Sequence, residues 1–200
     1  MDESVMARRR RAARAGFAGD IEAATTALRD PEPDVRSAGL RSLDRLDRLD
    51  DDTLGHALTD PAPSVRIVAL ELAAPRSAPR IAHLLDDPDA TVVEQAAWAC
   101  GERENAPDHP IERLSSLAVQ HDDPLVREAA VAALGALGDA DGLPAVLAAT
   151  RDKPAVRRRA VLALAAFDGP EVDEAWARAR DDRDRQVRDA VDELLGPVDG

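Results

Sequence analysis

The fold class predicted by this 200-residue sequence is all-α: a right-handed α-α superhelix, or solenoid, of about six helical pairs plus an N-terminal capping helix. Three observations predict it. One amphipathic helix recurs six times, anchored at Val35, Val65, Val92, Val126, Val156 and Val187, in steps of 27 to 34 residues. Each copy carries its own start signals, an Asp-containing turn with Pro or Asp ahead of the first helical residues, which suit the free amides and positive dipole of a helix start. Apolar residues make up 44% of the chain, yet there are only two Phe, two Trp and no Tyr. Such an Ala- and Leu-rich composition fills seams between close helices rather than one large globular core.

The copy at Pro124 to Asp139, PLVREAAVAALGALGD, shows the pattern most fully. Val126, Ala130, Leu134 and Leu137 fall on one helical face. Gly135 and Gly138 stand where the helix is expected to end, the usual left-handed cap position. Arg follows the anchor in five copies (Arg36, Arg66, Arg127, Arg157 and Arg188), and Val93 replaces it in the third. Four residues after the anchor the side chain is small or β-branched (Gly39, Ala69, Ala96, Ala130, Ala160, Val191), which lets helix axes approach closely. Eight after it the position is apolar throughout (Leu43, Ala73, Cys100, Leu134, Leu164, Leu195) and fills the seam. A weaker helical run precedes the anchored helix, as at 21–28, 81–85 and 111–119, so each unit reads as helix, tight turn, helix. One unit of about thirty residues cannot bury its apolar face alone, so neighbours must stack.

In chain order, residues 1–19 form a basic N-terminal helix or cap, and residues 20–197 hold six repeats in a single elongated domain. Arg8, Arg9, Arg10, Arg11 and Arg14 concentrate positive charge in an otherwise acidic chain. They read either as the polar face of a capping helix or as a basic docking arm for an acidic partner or nucleic acid. The run 44–52, DRLDRLDDD, lacks the spacing and closing Glu of a calcium loop and is expected to end one helix and cap the next. Pro75 and Pro79 end the second repeat, and the break at 104–110 accounts for the longest step.

On these residues the chain resembles the HEAT-repeat proteins of the short-repeat type first noted in phycobilin lyases, most closely at 122–139 and 87–102. In that family the turn Asp and the Arg six residues later form a ladder between successive units. The spacing is kept at Asp30/Arg36, Asp60/Arg66 and Asp182/Arg188; it is shortened in the fourth and fifth copies and broken at Val93, which leaves the ladder open there. The resemblance implies a protein-binding scaffold whose second helices line a concave side. Its stripe two and six residues past each anchor offers Arg41, Glu71, Glu94, Trp98, Glu128 and Arg158 as candidate binding residues. Trp98 reads either as a peptide anchor or as packing against a neighbour. The alternative role is a lyase-associated or ligand-holding subunit, as in phycobilin lyases.

Chemistry is sparse. The four histidines, His56, His83, His109 and His121, lie on different segments. None is followed by Glu, so the His-Glu iron ligands of the deoxyhypusine hydroxylases, another HEAT-built class, have no counterpart. No zinc or calcium spacing occurs, Cys100 falls in the apolar column, and no Ser stands in a nucleophile elbow. The expectation is therefore a non-enzymatic protein without cofactor. Net charge is −13, which repels phosphate backbones and anionic lipid; the HEAT-like alkylpurine DNA glycosylases need a basic face instead. The expected partners are proteins with basic surfaces, not nucleic acid or membrane, and the chain is expected to be a monomer. A lone cysteine, no apolar run long enough to span a bilayer and no signal-peptide core predict a cytoplasmic location. Lys153 is the only lysine among 26 basic residues, a bias consistent with GC-rich codon usage or with adaptation to salt.

Overall fold

The computed structural model describes residues 3–103 and 110–196; the break at 104–109, with His109, and the tail at 197–200 lie outside the described residues. All regular structure among the described residues is helical. The chain divides into two compact units, Met1–Ala96 and Ala97–Gly200.

The first unit opens with α1 (Val5–Ala18), followed by α2 (Ile21–Ala27) and α3 (Pro33–Arg45), then α4 (Asp51–Ala57) and α5 (Pro63–Ala73). Local chemistry sets these ends. Ser4 and Asp20 accept from amides of the first turns of α1 and α2, and Gly19 closes α1 in the left-handed conformation at φ 76°. Asp50 caps α4 by accepting the Thr53 N–H at 2.8 Å, so the acidic run ends one helix and starts the next. The third repeat has only a 3-10 turn, Ala82–Asp86, where the sequence pattern predicts a first helix. α6 (Ala90–Gly101) follows it and runs across the boundary between the units.

The second unit contains α7 (Ile111–Gln120), α8 (Pro124–Leu137), α9 (Leu143–Ala149), α10 (Pro154–Ala163), α11 (Pro170–Arg180) and α12 (Arg185–Leu195). Pro at the first position of α8, α10 and α11 supplies a pre-set φ and no wasted donor. All six anchor valines are at most 2% exposed. In each unit the anchored helices pack side by side: α1 on α3 and α3 on α5, then α8 on α10 and α10 on α12.

Two small-residue columns set the helix spacing. Gly39, in the column expected to be small, faces its own repeat's first helix: a Cβ there would lie 2.9 Å from the Ala24 carbonyl oxygen. The approach between neighbouring anchored helices is made elsewhere, nine residues past the anchor. There Gly16, Gly101 and Gly135 sit against Ser42, Ala133 and Ala163 of the next helix, leaving 2.9 Å or less from a built Cβ to the facing backbone. Gly135 is thus not a cap; only Gly138, at φ 62°, ends α8 in the left-handed conformation. A β-carbon at Gly135 would push two backbones apart, which explains the residue better than helix termination does.

Candidate functional site

Two sets of polar side chains run along the anchored helices, one inside the stack and one on its surface.

The inner set is a ladder of arginines. Four of the five Arg residues that follow an anchor donate through Nη1 to carbonyls of their own turn and through Nε and Nη2 to both carboxylate oxygens of the next turn's Asp. In the first unit the rungs are Arg36–Asp60 and Arg66–Asp87; in the second they are Arg127–Asp152 and Arg157–Asp182, with distances of 2.6 to 2.9 Å. Fork-to-fork pairing of guanidinium with carboxylate gives each rung two charge-assisted bonds and a fixed orientation. The same Asp also closes its own turn, as where Asp60 accepts the Ala62 N–H at 2.9 Å. The fourth and fifth copies, where shortened spacing left the ladder open, have complete rungs. The fifth turn is one residue shorter, so Arg157 binds only the Asp152 carbonyl behind it. In the fourth turn His121 stands where other repeats place Asp; it accepts the Asp123 N–H through Nδ1 at 3.1 Å. Val93 lacks a guanidinium and is buried.

The ladder has one rung more than the six anchors foretell. Arg8 donates to both oxygens of Asp30 at 2.7 and 3.2 Å, in the geometry of the other rungs. α1 therefore stands in the place of an anchored helix, with Ala7 in the valine column and Gly16 in the glycine column. This divides the basic cluster. Arg8 is taken up by the ladder, and Arg11 pairs with Glu3 while, with Arg10 and Arg14, it lines the outer face of α1. Arg9 turns onto the surface shared with α3. The Asp2/Arg8 spacing, the Ala7-Arg8 pair and the later Gly16 were the available signals; Ala in place of Val hid them.

Four ladder carboxylates, Asp30, Asp60, Asp152 and Asp182, titrate low. The hydrogen bond from Arg8 holds Asp30 below its ordinary value, as do those from Arg127 and Arg157 for Asp152 and Asp182. At Asp60 burial pushes upward, but Arg36 and the Ala62 amide prevail and the net shift is downward. A depressed native pKa means that the unfolded chain binds protons first, so the stabilisation is complete above the unfolded carboxylate value of about 4 and is lost as pH falls through the native values. Thermal melts should show a midpoint nearly level from neutral pH to about 5, then a steep fall below about 4.

The outer set is the stripe two and six residues past each anchor. In the first unit Arg41 is exposed and pairs with Glu71 at 2.5 Å, while Glu94 is half-buried. In the second unit Trp98 is 42% exposed, Glu128 pairs with Arg159 at 3.4 Å, and Arg158 is half-buried. Each candidate thus lies at the surface of its own unit. Among the described residues no three His, Cys, Asp or Glu side chains are grouped to hold a metal. No described helix is long and apolar enough to cross a membrane.

Comparison with known proteins agrees with this geometry. No curated protein sequence matches. Among solved structures, human deoxyhypusine hydroxylase, in complex with glycerol, is similar at 20% identity and TM-score 0.50, over 97% of this chain and 80% of the other. An engineered protein is similar at 19% identity and TM-score 0.57; this chain is 94% covered and spans 62% of that one. At such identities the likeness concerns the fold alone. A designed armadillo repeat protein aligns at 14% identity and TM-score 0.45, over 94% of this chain and 89% of that one. The family description "HEAT repeats" matches residues 77–154 and 111–196. With the ladder and the helical pairs, that match over more than half its length places the chain in the HEAT-repeat family.

Proposed function

We propose that the protein is a non-enzymatic scaffold that binds other proteins on the outer stripe of its anchored helices. The observation carrying this reading is the outer stripe. The fold consumes the apolar and ladder columns, yet leaves the +2 and +6 columns exposed or half-buried at the surface, with a mixture of charges and an exposed indole. Trp and Arg in such positions are the residue types that dominate binding energy at interfaces. In the second unit the exposed Asp189 and Glu193 extend this face with negative charge that fits a basic partner surface.

The test is affinity capture from a lysate, with the wild type beside a Trp98→Ala, Glu128→Arg variant shown by circular dichroism to remain helical. A partner held by the wild type and lost by the variant supports the assignment. Retention by both would remove this face from the interaction.

A further inference from the structure

The first unit carries a groove of a different character, about 400 Å³ in volume, between α1, α3 and α5. Its rim holds three guanidiniums, Arg9, Arg41 and Arg45, against one lining carboxylate, Asp34. Between them it is lined by Ala13, Ala38 and Val68 together with Ser37, Ser42 and Ser64. This concentration of positive charge occurs in a chain of net charge −13. Arg41 is shared with Glu71, whereas among the described residues Arg9 and Arg45 have no carboxylate partner. Arg45 lies 4.2 Å from the ring centroid of Phe17, and Phe17 itself is 76% exposed.

We propose that this groove docks an acidic, extended peptide segment of a partner protein, with an apolar side chain set beside Phe17. The inference deepens the scaffold reading and rests on it, by fixing the chemistry of the partner at this end. Charge complementarity selects the occupant. Arg45 lies over the Phe17 ring, and its planar guanidinium is the group that receives a carboxylate bidentately. Arg9 lies on the adjacent helix, so the two free guanidiniums can receive two acidic residues of one segment. The large exposed ring is a ready anchor for an aliphatic or aromatic residue between them. A nucleic acid strand fits less well, because Asp34 and Glu71 interrupt the cations that a continuous row of phosphates would need.

The probe is a short fluorescein-labelled peptide of Asp and Glu around one Phe, compared with an Asn/Gln counterpart by anisotropy on the full chain. The acidic peptide should bind at low ionic strength and weaken as salt rises. Arg9→Glu, Arg45→Glu together should reduce affinity by more than about tenfold, while Arg10→Glu, Arg14→Glu on the outer face of α1 should leave it within about twofold. Phe17→Ala should also weaken it, and circular dichroism should show all variants equally helical, since these side chains are exposed. Equal binding of the Asn/Gln peptide, or no loss in the Arg9/Arg45 variant, would overturn the proposal. So would an equal loss in the Arg10/Arg14 variant, which would mean bulk charge alone. Tighter binding of a labelled single-stranded oligonucleotide would assign the groove to nucleic acid. A dimer seen in sedimentation and abolished by the Arg9/Arg45 variant would assign it to a second copy. If the peptide fails to bind while Trp98→Ala, Glu128→Arg still loses its captured partner, this inference falls and the scaffold reading stands.

Discussion

Replacing Arg157 by Ala should destabilise the second unit by about 3 kcal/mol, measured as a lowered urea midpoint at neutral pH. The side chain is 7% exposed and makes two bonds to Asp182 and a third to the Asp152 carbonyl. Its removal leaves a carboxylate in a crowded turn and an unsatisfied carbonyl, which costs more than the lost bonds alone. Arg157→Lys should recover only part of the loss, because an ammonium cannot span both carboxylate oxygens while reaching back to its own turn. Arg188 supplies the control. It donates from Nη1 to the Asp182 carbonyl at 2.6 Å, and no Asp follows for its remaining donors among the described residues, so Arg188→Ala should cost about 1 kcal/mol. Tryptophan fluorescence follows the right unit, because Trp98 and Trp176 both belong to Ala97–Gly200. A cycle combining Arg157→Ala with Asp182→Asn should show strong coupling. Additive effects would mean that the rung is packing and not an ion pair.

The helical class and the register of the anchored helices were legible because each rests on short-range chemistry. Asp and Pro start signals, Val at the anchor and Leu or Ala at later turns all lie within one helix, and periodicity reads them directly. What escaped was set by neighbours in space. The first member of the third repeat, at Ala82–Asp86, is a 3-10 turn although its apolar residues are spaced like those of its counterparts; hydrophobic pattern alone does not separate the two over so few residues. The extra rung at Arg8 depends on Asp30, 22 residues on, and on a helix whose anchor is Ala. In the fourth and fifth copies the spacing within one turn is a poor guide to the ladder, because the carboxylate comes from the next turn. Shortening a turn by one residue changes which carbonyl the guanidinium meets and leaves the rung itself intact. The outer stripe was legible as a column, since its register follows from the anchors. The sign of its charge was not: Arg9 and Arg45 reach the first unit's groove from positions that an acidic average conceals. Composition reports the chain, while binding responds to the few groups that share one groove.

Two glycine-to-alanine changes should move stability in opposite directions, and the difference isolates interhelical packing from helix propensity. Both residues lie within helices, where Ala is intrinsically better than Gly by about 1 kcal/mol. At Gly55, in α4, a built Cβ meets nothing within 4 Å, so Gly55→Ala should stabilise by about 0.5 to 1 kcal/mol. At Gly135 the same methyl would lie 2.6 Å from the Ala163 Cβ and 2.8 Å from its Cα. Backbone cannot rotate away as a side-chain tip can, so α8 and α10 must separate and part of the buried seam between them must open. Overpacking of this kind costs about 1 to 3 kcal/mol, which exceeds the gain in propensity, and Gly135→Ala should be destabilising overall. Gly135→Val, with a larger side chain and none of alanine's helix preference, should lose about 3 kcal/mol. Adding Ala163→Gly to Gly135→Ala removes the nearer of the two clashing atoms and should recover part of the loss, although the clash with the backbone of residue 163 persists. Denaturant midpoints for the four variants decide the matter. If Gly135→Ala stabilises as Gly55→Ala does, the two helices are not held at the distance the structure gives them, and the glycine column would lose its role as the spacer between repeats.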